Sequence, residues 1–171
     1  RHVRHRGTIG GSVANNDPAA DYPSAVLALG ATVVTDRRRI AADDYFVGLY
    51  ETCREPGEIV TAIEFPIPLS AGYAKFRSAA SRYALAAVFV VRTHAGVRVA
   101  VTGAGASGVF RPAEFEAALN RDFRPEALDG LQIDPDTLLG DPSTSAAYRA
   151  NLVKVLAKRA VAGQGQVQLF K

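Results

Sequence analysis

The segment from Arg6 to Asp21, RGTIGGSVANNDPAAD, puts a hydroxyl, a pair of glycines, a second hydroxyl and a pair of carboxylates close together. Adjacent glycines at Gly10 and Gly11 let backbone amides converge on an anion such as a pyrophosphate, and Thr8 and Ser12 can donate hydrogen bonds to the same oxygens. Asp17 or Asp21 can accept from the hydroxyls of a sugar or polyol. The same residues also read as a glycine turn followed by helix caps, and the local sequence leaves both readings open.

A second glycine segment competes for attention. VRVAVTGAGASG, Val97 to Gly108, runs a strand into Gly103-x-Gly105-x-x-Gly108, the spacing of a dinucleotide-binding turn. That turn needs a helix opening inside the glycines. Here the next helical pattern, PAEFEAALN, starts at Pro112, and proline suits a first helical position, so the helix comes too late. The stretch about 20 residues on, where a ribose-binding carboxylate should end a strand, reads as loop and short helix (RDFRPEALDG). The second segment is therefore read as a look-alike.

Composition narrows the classes. With 171 residues, 48% of them hydrophobic, the chain can bury a core and fits one domain or two small ones. No apolar run is long enough to span a bilayer and RHVRHRGTIGG carries no apolar stretch behind its charges, so neither a membrane helix nor a signal peptide is expected and a cytoplasmic location is the default. Cys53 is the single cysteine, which excludes an internal disulfide or a cysteine-built iron–sulfur or zinc site in this chain. His2, His5 and His94 have no metal-ligand spacing. The net charge of +3 is dispersed apart from Arg37-Arg38-Arg39, which lacks interleaved aromatics and reads as a solvated hairpin, not a nucleic-acid patch. A chain that starts at Arg1 and contains no methionine is expected to be a piece of a longer protein.

Several elements must position these residues. DPAADYPSAVLALG gives caps and a short helix with Gly30 as its stop, ATVVTDRRRIAA a hairpin, Asp43 to Tyr50 a helix, and GEIVTAIEFPIP a strand ended by Pro66 and Pro68. Those prolines mark a domain boundary, giving domains over residues 1–66 and 67–171. YAKFRSAAS is extended, ALAAVFVVRT and VRVAVTGAG form an antiparallel hairpin or meander around His94-Ala95-Gly96, and the unbroken apolar run from Leu85 to Val91 reads as a central strand buried on both faces. Helices follow at Pro112, near Pro125 to Leu128, and from about Ser145 to Ala162. In the last, Tyr148, Leu152, Val155, Leu156 and Arg159 are expected on one side, with Arg149, Lys154 and Lys158 facing away.

Taken as motifs, these stretches resemble one family. RHRGTIGGSVANNDPAAD is similar to the second flavin-binding motif of the FAD-binding, or medium, subunit of molybdenum hydroxylases, the group that includes carbon monoxide dehydrogenase and xanthine dehydrogenase. EPGEIVTAIEFPIP resembles the strand that ends that family's FAD-binding domain, and YAKFRSAASRYALAAV the start of its C-terminal domain. VRVAVTGAG with AEFEAAL is similar to a strand and helix of the C-terminal domain, and STSAAYRANLVKVLAKRA to its terminal helix. The resemblance implies an α+β chain: a second FAD-binding subdomain, mainly antiparallel sheet with helices, then a C-terminal domain with a three-stranded antiparallel sheet packed on helices.

For the site, the resemblance implies that Thr8, Ile9, Gly10 and Gly11 contact the FAD pyrophosphate region and that Asp21 lies at the flavin site. It also implies that Val60 lies near the flavin, and that a basic residue, Lys75 or Arg77, approaches its ring. Ser12 stands where many relatives have asparagine. The family's first flavin motif, a glycine-rich loop, would precede residue 1 and has no counterpart here. The implied function is an FAD-binding electron-transfer subunit, an oxidoreductase component partnered by a molybdenum-binding large subunit, which carries the molybdenum cofactor, and an iron–sulfur small subunit. The alternative is a cofactor-free interaction module that docks on partner subunits.

Overall fold

The computed structural model describes residues 5–142, 144–163 and 165–166; His2 lies outside them. The chain opens with a helix, α1 (Ile9–Asn15), where the sequence reads as a glycine turn. Glycine in a helix costs about 1 kcal/mol relative to alanine, so Gly10 and Gly11 argue against a helix locally. The fold overrides this with caps at both ends and a packed face. Thr8 caps the first turn, Asn16 closes the last in the left-handed conformation, and Val13 is wholly buried.

The following elements match the sequence pattern. Helix α2 (Tyr22–Leu29) has Pro23 in its first turn and stops at Gly30, whose φ of 62° and N–H to the Leu27 carbonyl make the glycine stop. Strands β1 (Thr32–Thr35) and β2 (Arg39–Ala41) form the expected hairpin, with Val33 opposite Ile40. Its arginines are ion-paired with Glu55, Glu58 and Glu64 in turn.

The expected helix over Asp43 to Tyr50 is a correction. Helix α3 covers only Ala42–Tyr45, and the chain then turns into a short hairpin of β3 (Phe46–Gly48) and β4 (Glu51–Thr52). Tyr45 is fully buried. The side-chain amide of Asn16 donates to the carbonyls of Gly48 and Glu51 at 2.8 and 2.9 Å, which fixes the hairpin to α1 and excludes a continuing helix. Strand β5 (Val60–Glu64) then pairs antiparallel with β1, giving a sheet in the order β2-β1-β5.

The second half is built on a meander of β6 (Ser70–Arg77), β7 (Ala84–Thr93) and β8 (Gly96–Thr102), all antiparallel. After α4 (Ala113–Arg121) and α5 (Ala146–Ala162), the two-residue β9 (Gly165–Gln166) adds to the β6 edge, so the sheet order is β8-β7-β6-β9. Between the two helices lie short 3-10 turns at Pro125–Leu128 and Pro135–Thr137.

Strand β7 is central and buried on both faces because the sheet is covered twice. Val88, Val90, Val99 and Val101 pack into a core with Phe115 of α4 and Leu156 of α5. The alternate residues Phe89, Val91 and Ala100 join the core formed by α1, α2 and β1.

The expected orientation of α5 is corrected at its first turn. Ser145 caps it, accepting from the Tyr148 amide, and that start sets a phase in which Arg149, Val153, Leu156 and Ala160 face inward. Arg149 is only 6% exposed, whereas Tyr148 is 45% exposed and Arg159 is at the surface.

Candidate functional site

Helix α1 separates two clefts. The larger, about 570 Å³, has one wall from α1 and the loop into α2 and the other from β6 and the β6–β7 loop. Ser12, Asp17, Asp21 and Lys75 all line it. The smaller, about 330 Å³, lies between the first turn of α1 and β5 and brings Thr8, Ile9 and Gly10 together with Val60.

The first turn of α1 is arranged as an N-cap. Thr8 Oγ1 accepts from the Gly11 amide at 2.9 Å, and the Ser12 amide bonds the Thr8 carbonyl at 3.1 Å. The amides of Ile9 and Gly10 precede the helical ladder and have no acceptor among the described residues. A side chain on Gly10 would meet Val60 Cγ1 at 3.7 Å and its carbonyl at 3.8 Å, so the missing Cβ leaves the amides open on the β5 side. Neither glycine needs a positive φ.

Across the larger cleft, Asp21 joins the two halves of the chain. Its carboxylate accepts from Lys75 Nζ at 2.7 and 2.8 Å and from the Tyr73 hydroxyl. It makes no cap bond to α2, so the helix-cap reading of Asp21 is not realised. Burial, then the hydrogen bond to Asp21 and that carboxylate's charge, push the Tyr73 hydroxyl far above its ordinary value, so it stays a donor. Asp17 instead accepts from the Ala19 amide at 2.9 Å in a local turn at the edge of the cleft. The Ser12 hydroxyl has no partner among the described residues.

Lys75 and Arg77 lie on the same face of β6, two residues apart, but only Lys75 lines the cleft. Three cleft residues escape a local sequence reading: Ser81, Arg82 and Tyr83 of the β6–β7 loop. Tyr83 is 58% exposed, and Arg82 has a φ of 63°, unusual for a non-glycine residue. The signal available was position: an Arg-Tyr pair in the turn between paired strands.

Outside the clefts, in the loop before β5, Glu58 has a wholly buried side chain. It accepts from Thr35 Oγ1 at 2.7 Å, from Arg38 Nε and Nη2 at 3.0 Å, and from the Glu55 amide at 2.7 Å. The Arg38 hydrogen bond, then those of the Glu55 amide and Thr35, hold its carboxyl down at about 2.

The second glycine segment takes no part in either cleft. Gly103 follows β8 directly with a φ of 83°, and a Cβ there would lie 2.6 Å from the Ala84 carbonyl oxygen. At Gly105 a Cβ would lie 2.3 Å from the Gly108 carbonyl oxygen. These glycines serve close backbone packing.

Residues 1–68 match the family described as the FAD binding domain in molybdopterin dehydrogenase. The chain is similar to the carbon monoxide dehydrogenase medium chain of Afipia carboxidovorans, 34% identical over 93% of this chain and 60% of that one. It is also similar to the nicotine 6-hydroxylase medium subunit of Paenarthrobacter nicotinovorans, 37% identical over 95% of this chain and 62% of that one. Among solved structures, carbon monoxide dehydrogenase from Oligotropha carboxidovorans superposes with a TM-score of 0.81 at 31% identity, over 94% of this chain and 62% of that one. The chain thus spans 60% to 62% of the length of these relatives. None of its described helices is long and apolar enough to cross a membrane.

Proposed function

We propose, from the membership of residues 1–68 in the family of FAD-binding domains of molybdopterin dehydrogenases, that this chain binds FAD as the electron-transfer component of a molybdenum hydroxylase complex. The observation that carries the reading is convergence. Thr8, Ile9, Gly10 and Val60 share one cleft, and Ser12, Asp17, Asp21 and Lys75 the adjoining one, although they come from sequence-distant elements.

The residues present fit an extended dinucleotide. Both clefts fall within the ~300–1,000 Å³ of small-molecule sites. They differ in chemistry along α1: unpaired amides and a small apolar wall at one side, hydroxyl, carboxylate, ammonium and exposed aromatic groups at the other. Thr8 and the amides of Ile9 and Gly10 would hold the pyrophosphate, with Gly11 and Val60 shaping its approach. Ser12 would add a hydroxyl, Asp17 and Asp21 acceptors, and Lys75 a cation on the side of the flavin, with Arg77 one step further along the strand.

When bound, FAD would supply the redox centre between a partner's iron–sulfur clusters and a final acceptor. This chain's own residues bind and orient. The Asp21–Lys75–Tyr73 cluster holds the larger cleft's walls together and fixes one proton on the Tyr73 oxygen. In this reading the complex includes a molybdenum-binding large subunit and an iron–sulfur small subunit. Domains over residues 1–66 and 67–171 would then be an FAD-binding subdomain and a C-terminal domain that share the cleft between them. The protein purified with its partners should show flavin absorbance and release FAD on denaturation; absence of FAD from an intact complex would overturn the proposal.

A further inference from the structure

The residues fastening the larger cleft lie outside it and converge on the look-alike glycine segment. Its first wall is the loop from Asp17 to Tyr22, and that loop is tied to the end of β8. Thr102 Oγ1 shares its single proton between the Ala20 carbonyl at 2.7 Å and the Pro18 carbonyl at 2.9 Å, and the Gly103 amide donates to the Pro18 carbonyl at 2.7 Å. The opposite wall, Ser81 to Tyr83, runs into β7, whose second residue is Leu85. Arg149 of α5 reaches both attachments with one nitrogen: Nη1 donates to the Leu85 carbonyl at 2.7 Å and to the Gly103 carbonyl at 2.9 Å. Its Nη2 pairs with Asp141 at 2.8 Å.

An arginine is a costly way to seal a helix on a sheet. The inward positions after it on α5 are Val153, Leu156 and Ala160, all buried and apolar. Arg149 is equally buried and leaves its Nε without an acceptor. A buried guanidinium gives up hydration that an apolar side chain would not have to lose, so net stability alone is a weak account of it. What it supplies is a rigid planar group whose Nη1 holds two carbonyls in one geometry while its Nη2, on the other arm of the fork, is anchored by Asp141. Gly103 makes the joint tight, because only a residue without Cβ lets the chain pass this close to Ala84.

We infer that Arg149, acting through Gly103, Thr102 and Leu85, is a positioning residue that sets the spacing of the two walls of the larger cleft, and through it the hold on FAD. The FAD part of this statement rests on the function proposed above; the coupling of the walls does not. Arg149 touches neither cleft and transfers no proton.

The test compares Arg149→Met, Arg149→Lys and Thr102→Val with Leu156→Ala, a core truncation on α5 away from the joint. Each complete protein is read by melting temperature, by amide hydrogen exchange over residues 17–22 and 81–85, and by FAD titration. Arg149→Met is expected to speed exchange in both walls and weaken FAD about tenfold or more. Thr102→Val should loosen chiefly the 17–22 wall. Arg149→Lys, which keeps the charge but not the fork, should recover part of the FAD affinity. Leu156→Ala should lower the melting temperature with much smaller changes in wall exchange and affinity. Equal wall exchange and affinity in Leu156→Ala and Arg149→Met at matched stability would overturn the inference, as would unchanged exchange in a folded Arg149→Met. If the walls loosen together but the unmodified protein takes up no FAD, the positioning role stands and the FAD reading fails.

Discussion

The two glycine-rich segments invert what their spelling suggests. Gly103-x-Gly105-x-x-Gly108 has the spacing of a nucleotide turn, yet its glycines are used up by the protein: Gly103 by a positive φ and the Ala84 backbone, Gly105 by Gly108 and the Phe110 ring. Gly10 and Gly11 match no spacing rule and lie in a helix; the amides of Ile9 and Gly10 find no acceptor among the described residues, and a Cβ at Gly10 would meet Val60 only at ordinary contact distance. Glycine spacing records where a backbone must come close to something. Whether that partner is the chain itself or a ligand is decided by the path the chain takes next: at Gly10 it runs on as a helix, whereas after Gly108 it folds back so that Phe110 bridges Val101.

The largest effect expected from this contrast is at Gly103. Gly103→Ala places a methyl against the Ala84 carbonyl and forces an alanine to a φ of 83°, so it should cost about 3 kcal/mol, read as a loss of melting temperature. A second break comes from acid. The folded-state value of about 2 for Glu58 lies below the ~4.3 of an unfolded glutamate, so its contribution to stability is complete above the higher value. It is lost as pH falls from there toward 2. Amide exchange around Thr35 and Glu55 should therefore rise through that window in the wild type, while Glu58→Gln should already exchange faster at neutral pH and show a flatter acid response.

Smaller effects belong to the first segment. Thr8→Ala removes the cap of α1 and should cost about 1 kcal/mol of stability, with FAD binding weakened by less than about tenfold. Gly10→Ala should be neutral or stabilise the chain by up to about 1 kcal/mol, because the methyl meets Val60 only at ordinary contact distance in a helical position. In a thermal scan Gly10→Ala should thus move opposite to Gly103→Ala or not at all, while Thr8→Ala moves in the same direction as Gly103→Ala by a smaller amount.

Much of the fold was legible because its signals are local. The stop at Gly30, the β1–β2 hairpin, the β7–β8 turn and the start of the last helix near Ser145 each depend on neighbouring residues. What was illegible depends on distant partners. The helix at Ile9–Asn15 is paid for by packing on β5, against the propensity of its own glycines. The turn after Tyr45 is imposed by Asn16, and Arg149 is drawn inward by the Leu85 and Gly103 carbonyls. Within the site, Thr8 to Ser12 could be singled out because the segment is contiguous. Lys75 could be separated from Arg77 only by the structure, since both share a strand face, and Tyr83 only by the way its loop returns to the cleft.

The claim that FAD lies along α1, and not at the second glycine segment, is tested most directly by titrating FAD into two folded variants of the complete protein. Gly10→Val fills the open side of the α1 first turn, and Ser107→Trp adds bulk at an exposed position inside the look-alike. Gly10→Val should lose at least about tenfold in affinity and Ser107→Trp none. Normal binding by Gly10→Val with loss in Ser107→Trp would contradict the claim and move the cofactor to Gly103–Gly108.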